Sequence, residues 1–412
     1  MQPSRKRNEA FHPSRQPLRD HPSLQLDHNR VKGPVSFLNP TTAHFRPYIT
    51  DHIEHASPAI SCKWTSRNNR KGRHALSVDS TLGAPEATHP VSRRTSPRET
   101  IRGISRMFTT FPVWDISYDV ATIFTLGSVV WVINAMFVYL PLVQPQTEFE
   151  TEALYGGGIT AFIGATIFEW GSILLMLEAV NENKTGCMGW AIEQVFSHEE
   201  HEAGGGQLKA SRATCTHHHV DKGNLVGKGL ESKATASPTV PPNSSQKSWA
   251  WWPSMAELRK HYIHEIGFIA SLAQFIAATI FWVSGFTALP GIYNHLSRPV
   301  TIIFYWTPQV LGGTGFILSG TLFMLETQSH WYKPAFKTLG WWIGLWNLIG
   351  GIGFTLCPAF GYDERSWAQY QACLSTFWGS WAFLIGSVIQ WYESLDKYPV
   401  EIDKSQKLHV ES

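Results

Sequence analysis

The chain has 412 residues, a formal net charge of +2, 16% charged and 13% aromatic residues, and five cysteines. Its mean hydropathy of -0.13 is that of a soluble protein, yet this average conceals six apolar stretches diluted by two long polar regions, 1–119 and 178–265. No nucleic-acid partner is expected of it. The sequence holds no phosphate-binding Gly-rich loop with Lys, no Gly-x-Ser-x-Gly elbow and no His-Glu-x-x-His motif, so we expect neither an enzyme nor a catalytic residue, metal or cofactor.

Residues 1–110 read as a disordered basic tail rich in Arg, Ser, Pro and His. The 18 basic against ten acidic residues before Val120 suit contact with anionic lipid. An Arg/Ser-rich start suggests a mitochondrial presequence, which Glu9 and Asp20 argue against, and no secretory apolar core precedes the first helix. A first transmembrane hairpin follows at 111–182 with apolar stretches 120–140 and 156–177. A polar loop occupies 183–260, a second hairpin 261–334 (apolar at 266–289 and 302–325), a third 335–399 (339–357 and 373–391), and a tail 400–412. Each stretch has about 19 to 24 residues, which at about 1.5 Å rise matches a hydrocarbon core of about 30 Å. Helices buried in a soluble domain are usually shorter and show a polar stripe, whereas these are apolar on every face. The expected fold is therefore an all-α membrane protein of six transmembrane helices in three repeated hairpins. Its N-terminal region and second loop are long, disordered and cytoplasmic.

Basic residues set the orientation. Lys and Arg number 18 in the N-terminal region, nine in the second loop, two in the fourth and three in the tail, against none, one and one in loops one, three and five. Positive residues stay on the cytoplasmic side, which places both termini there, in the plasma membrane or an endomembrane. The sequons at Asn183 and Asn243 should then stay unglycosylated.

Three hairpins emerge when the proline near the end of each odd helix (Pro141, Pro290, Pro358) is paired with the glutamate ending each even one (Glu178, Glu326, Glu393). The intervals are 37, 36 and 35 residues, a spacing that marks an internal repeat. Within this register Gly164, Gly312 and Gly379 correspond, as do Phe168, Phe316 and Phe383, and Gly171, Ser319 and Gly386. The last two odd helices share Gly285-Phe286-Thr287 and Gly353-Phe354-Thr355. Small residues let helix backbones touch where lipid supplies little hydrophobic drive. The small-residue face is therefore read as the hairpin interface, with a solute path as the alternative.

Glu169 is the one charged residue within the six stretches. It lies about 12 Å from the inner end of its helix, close to the depth of Ser128, Gln274 and Asn347, each eight residues into an odd helix. These four form a candidate polar layer. An intramembrane acid is either a proton- or solute-handling group or a neutral hydrogen-bonding contact between helices, and both readings stand. Glu178, Glu326 and Glu393 lie at helix C-termini, where the helix dipole disfavours negative charge. They need compensation, for which Lys184, Lys333 and Lys397 are the nearby candidates. Cys357 and Cys373, near the outer ends of the last two helices, are either a disulfide closing the fifth loop or two free thiols. His198, His201, Cys215 and His217 to His219 have metal-ligand chemistry, but flanking glycine and proline runs favour a flexible segment without a specific site.

Phe111-Pro112-Val113-Trp114-Asp115 with Tyr118-Asp119, then Gly127-Ser128, Trp131, Gly171-Ser172 and Leu177-Glu178, resemble the fungal multi-pass integral membrane proteins with YrhK-like two-helix units. The resemblance covers roughly 111–399 and implies an architecture without a settled activity, so it supplies no catalytic residues. Two functions are weighed: proton or small-solute transport through the bundle, and a non-catalytic scaffold or sensor whose arms bind protein partners.

Overall fold

The computed structural model describes residues 10–11, 17, 24–47, 60–73, 75–79, 97–182, 184–189, 191–192, 249–397 and 400–403. The sequons at Asn183 and Asn243 and the His/Cys-rich stretch 198–219 lie outside these residues.

Six helices are long and apolar enough to cross a bilayer: α3 (Ile116–Val143), α4 (Ala153–Val180), α6 (Ile266–Thr287), α7 (Arg298–Glu326), α8 (Leu339–Gly361) and α9 (Ser366–Ser394). All extend beyond the apolar stretches except α6, which ends before Pro290. Pro141 and Pro358 are taken into the last turns of α3 and α8, where the backbone bond each ring removes lies next to the helix end. Asp115 starts α3, its Oδ1 accepting from the Ser117 amide at 2.9 Å, the usual satisfaction of an orphan N-terminal donor. Consecutive helices pack side by side and α9 closes against α3, so the six form a ring in chain order.

Side chains from all six helices meet at mid-depth. Trp131 on α3, Phe281 on α6 and Phe354 on α8 stack edge-on or tilted against Phe168 on α4, Phe316 on α7 and Phe383 on α9. Ring centroids lie 4.9 to 6.4 Å apart, the range in which aromatic quadrupoles attract. Each even-helix glycine faces the odd helix of its own hairpin: a Cβ on Gly164 would meet the Trp131 indole, one on Gly312 the Phe281 Cβ and Ala277 carbonyl, and one on Gly379 the Phe354 ring and Gly353 Cα. Ser319 donates to the Ala270 carbonyl at 2.9 Å across the same kind of seam. The two Gly-Phe-Thr strings differ in environment. Phe354 is buried in the aromatic layer while Phe286 is exposed, and it is Phe281 that stands beside Phe354.

The polar N-terminal region is not featureless. Strands β1 (Leu24–Leu26), β2 (Thr42–Pro47), β3 (Ile60–Thr65) and β4 (Ala75–Asp79) pair antiparallel in chain order. Strand β5 (Val400–Asp403), from the C-terminal tail, adds in parallel to β4. Leu26, Val31, Ala43, Phe45 and Trp64 supply a small core. This sheet was not visible in the composition because those apolar residues are few and spread over about forty positions. Between β3 and β4 the chain makes one short helix, α1 (Ser66–Arg70), capped by the Thr65 hydroxyl accepting from the Asn68 amide at 3.1 Å. Two further short helices, α2 (Pro97–Thr109) and α5 (Met255–Lys260), precede α3 and α6.

Candidate functional site

Helix α1 and the residues that follow it place four basic side chains over one end of the ring. Arg70 binds Glu178 through one terminal nitrogen and Glu326 through the other and through Nε, at 2.8 and 3.2 Å. Arg67 reaches Glu393 at 2.6 Å and Arg73 reaches the same carboxylate at 3.0 Å. Lys71 Nζ lies 3.6 Å from Glu178 Oε2. All seven side chains are buried. The three glutamates that end the even helices thus converge on one segment more than 100 residues upstream. The sequence-based donors are corrected accordingly: Lys397 binds Asp115 at 2.7 Å and the Lys71 carbonyl at 2.9 Å, and the cations on Glu178, Glu326 and Glu393 come from α1 and its C-terminal flank. Two helix starts are cleared for this, because a Cβ on Gly267 would overlap Glu326 and one on Gly340 would overlap Arg67.

Neutral contacts fasten the same domain at other helix ends. Asn39 donates its backbone amide to the His264 carbonyl at 2.8 Å and its Nδ2 to Glu265 at 2.5 Å. Thr41 donates to the Gln328 carbonyl at 2.7 Å, and Asn69 to Glu182 at 2.7 Å. Burial of Arg70 works against its charge, but Glu326 and Glu178 outweigh this and hold the guanidinium more firmly protonated than usual. Burial pushes the Lys71 ammonium down to about 8, with Glu178 opposing the shift and Arg67 adding to it.

Below this cap lies a chamber of about 30 Å³ walled by Arg67, Arg70, Lys71, Ser128, Gln274 and Asn347, with Ser387, Gln390 and aromatic rings including Phe168 and Phe383. The structure brings three members of the candidate polar layer together here, Ser128, Gln274 and Asn347. Glu169 is elsewhere. It is half-buried between α4 and α6, accepting from the Thr279 hydroxyl at 3.0 Å and from Ser172 at 3.4 Å, and is absent from the chamber wall.

Beyond the aromatic layer, toward the far end, a cavity of about 430 Å³ is lined by Trp131 and Phe281 at its floor and by Asn134, Tyr305, Trp306 and Gln309 on its sides. Helix α4 opens on a wide π turn at Ala153–Gly157, α7 has one at Ile302–Trp306 after its first turn at Arg298–Thr301, and both π turns contribute to this wall. Wide turns of that kind recur at functional sites. Asn134 is held by donating to the Gly157 carbonyl at 2.6 Å and to Thr160 at 3.0 Å. Cys357 and Cys373 line the cavity as free thiols. Among the described residues, no group of three His, Cys, Asp or Glu side chains is arranged to hold a metal.

Sequence reasoning missed Arg67, Arg70, Lys71 and Arg73. The usable signal was the demand side: three acids at dipole-disfavoured ends need buried cations, and Arg67-Asn-Asn-Arg70-Lys71-Gly-Arg73 is a dense basic run preceded by a helix-capping threonine.

Six helices long and apolar enough to cross a bilayer make this a multi-pass integral membrane protein whose surroundings are a lipid bilayer. No protein-family model, curated protein or solved structure matches the chain.

Proposed function

We propose that this protein carries a small uncharged solute along the axis of its helix ring, with the α1 segment as the gate on the cytoplasmic side. One observation carries the reading. The 430 Å³ cavity, the aromatic layer, the polar chamber and the charged cap succeed one another along a single axis. Each aromatic tier borders one compartment, Trp131 and Phe281 the outer, Phe168 and Phe383 the inner. The outer cavity has the size of a small-molecule site and combines aromatic walls with a few amide and hydroxyl groups. Its wall carries no charged side chain among the described residues, which selects for a neutral solute. The count of basic residues in the loops supports a cytoplasmic capped end.

A second reading, a sensor, draws on the way Arg67, Arg70 and Arg73 tie together glutamates from all three hairpins. Movement of any hairpin would then be felt by the N-terminal domain. Tracer uptake of a panel of neutral solutes into proteoliposomes separates the two. The expected result is saturable uptake, abolished when a membrane-impermeant thiol reagent added at the far end modifies Cys357 and Cys373. Solute that protects these thiols but does not cross would replace transport with sensing.

A further inference from the structure

The inner chamber has an unusual wall. Its charged side chains, Arg67, Arg70 and Lys71, are all cationic, and among the described residues no carboxylate lines it, because Glu178, Glu326 and Glu393 stand behind the guanidinium and ammonium groups. The two arginines spend their hydrogen bonds on those carboxylates. Lys71 does not: its Nζ is buried and makes no hydrogen bond, and Glu178 Oε2, at 3.6 Å, also lacks a donor. A gap of that length is longer than a charge-assisted hydrogen bond of about 2.7–2.9 Å. Buried polar groups are nearly always satisfied, so an ammonium left without an acceptor beside an accessible space points to an occupant.

The other walls narrow its chemistry. Gln274, Asn347 and Gln390 bring side-chain amide donors, while the hydroxyls of Ser128 and Ser387 are already donated to the Phe124 and Leu384 carbonyls at 2.7 and 3.0 Å. Ammonium, guanidinium and amide N–H groups facing one space make a donor-rich surface with positive potential. At about 30 Å³ the space admits one or two species of water's size, which excludes polyatomic organic anions. We propose that the chamber binds a single small inorganic anion of halide size, with Lys71 as its principal charged partner. Burial lowers the proton affinity of Lys71 and Glu178 only partly offsets it, so a further anion beside the ammonium would be favoured. An anion at this position also gives the N-terminal domain a reason to deliver four cations to three glutamates. The anion then bridges the gating segment and the helices that carry Gln274 and Asn347.

The test is thermal unfolding of the full chain in lipid nanodiscs, titrated with sodium chloride or sodium bromide against sodium gluconate at constant ionic strength and pH. Gluconate is too large for the chamber. The expected result is a saturable rise of several degrees in the midpoint with either halide and none with gluconate, since a ligand bound only to the folded state raises its melting temperature. K71Q leaves three guanidiniums against three carboxylates, so it should fold and lose the halide response. Bromide anomalous scattering should give one peak within reach of Lys71 Nζ. Identical midpoints in halide and gluconate, or a K71Q protein that keeps the full halide response, would overturn the site in favour of trapped water. Should K71Q fail to fold, N347L, which removes an amide from the wall without touching the ion pairs, must weaken halide binding at least tenfold, and unchanged binding overturns the proposal. Binding is read without flux, so a halide site in a protein that transports nothing, and transport without halide dependence, remain distinguishable outcomes.

Discussion

The two ends of the helix ring solve opposite problems with different chemistry. At one end three acidic helix termini are buried under four basic side chains from a distant segment. At the other end a 430 Å³ cavity is left between π turns, tyrosines, tryptophans and amides. Burying ions costs desolvation energy that the pairing only roughly returns, and well-packed apolar residues would often be as stable. Ion pairs at the capped end are thus better explained by specificity than by stability. Geometrically matched Arg–carboxylate pairs dictate which segment seats there and in which register, whereas the far end is built from neutral groups with no such pairing. One end is fixed by buried charge pairs, the other surrounds its cavity with uncharged side chains.

The strongest way to break this contrast is to unseat the cap. Arg70→Met leaves both Glu178 and Glu326 without their main partner in a buried setting, and stranding a buried charge costs about 3–5 kcal/mol. Amide hydrogen exchange over 60–73 should rise by at least a hundredfold while the cores of α6 and α8 stay protected. Gln309→Leu, on the wall of the far cavity, should leave both regions within about 1 kcal/mol of the parent. Equal losses from the two substitutions would show that the cap is no more specified than the cavity.

Much of the helical frame was legible in the sequence, because an apolar surface on every face over about twenty residues has few interpretations other than a membrane span. The ends were less so: α9 starts at Ser366, seven residues before the apolar run, since Gln369 and Gln371 interrupt the hydropathy there. Ser128, Gln274 and Asn347 could be grouped because equal distance along parallel-running helices is equal depth. Glu169 was grouped with them for the same reason and parted from them by rotation about the helix axis, which depth does not encode. The cap was legible only from its acceptors. Glu178, Glu326 and Glu393 announced an unmet electrostatic need, but Arg67, Arg70, Lys71 and Arg73 sit in a polar region whose basic residues look solvated until the sheet that positions them is known.

A medium effect is expected along the hairpin seams, which hold the two ends in line. A side chain on Gly312 would press on the Phe281 Cβ at 2.7 Å and the Ala277 carbonyl at 2.8 Å, and one on Gly379 would meet the Phe354 ring at 3.1 Å. Gly312→Leu and Gly379→Leu should each destabilise by about 1–3 kcal/mol through overpacking. Lower folded yield and an earlier loss of monodispersity in detergent are the readouts. Because the contacts at Gly312 are closer than the backbone and ring contacts at Gly379, which begin at 3.1 Å, it should suffer more than Gly379. The reverse order would mean that the seams yield by moving whole helices instead of side chains.

The smallest effect is expected at the only acid embedded in the apolar stretches. Glu169 stands outside the axis, half-buried between α4 and α6, within bonding reach of the Thr279 and Ser172 hydroxyls, which also bond the Phe275 and Glu169 backbone carbonyls. Those bonds serve a protonated acid or an amide nearly as well as a carboxylate, so Glu169→Gln should change stability by less than about 1 kcal/mol. Uptake should stay within about twofold of the parent, as expected for a residue away from the transition it would have to assist. Gln274→Leu, which removes a polar group from the chamber wall, should lower uptake at least tenfold in the same proteoliposome assay. If Glu169→Gln abolishes uptake and Gln274→Leu does not, the solute runs through the groove between α4 and α6. The axial sequence of cavity, aromatic layer and chamber would then be a packing feature, and the contrast between a charge-paired and an uncharged end would describe stability alone.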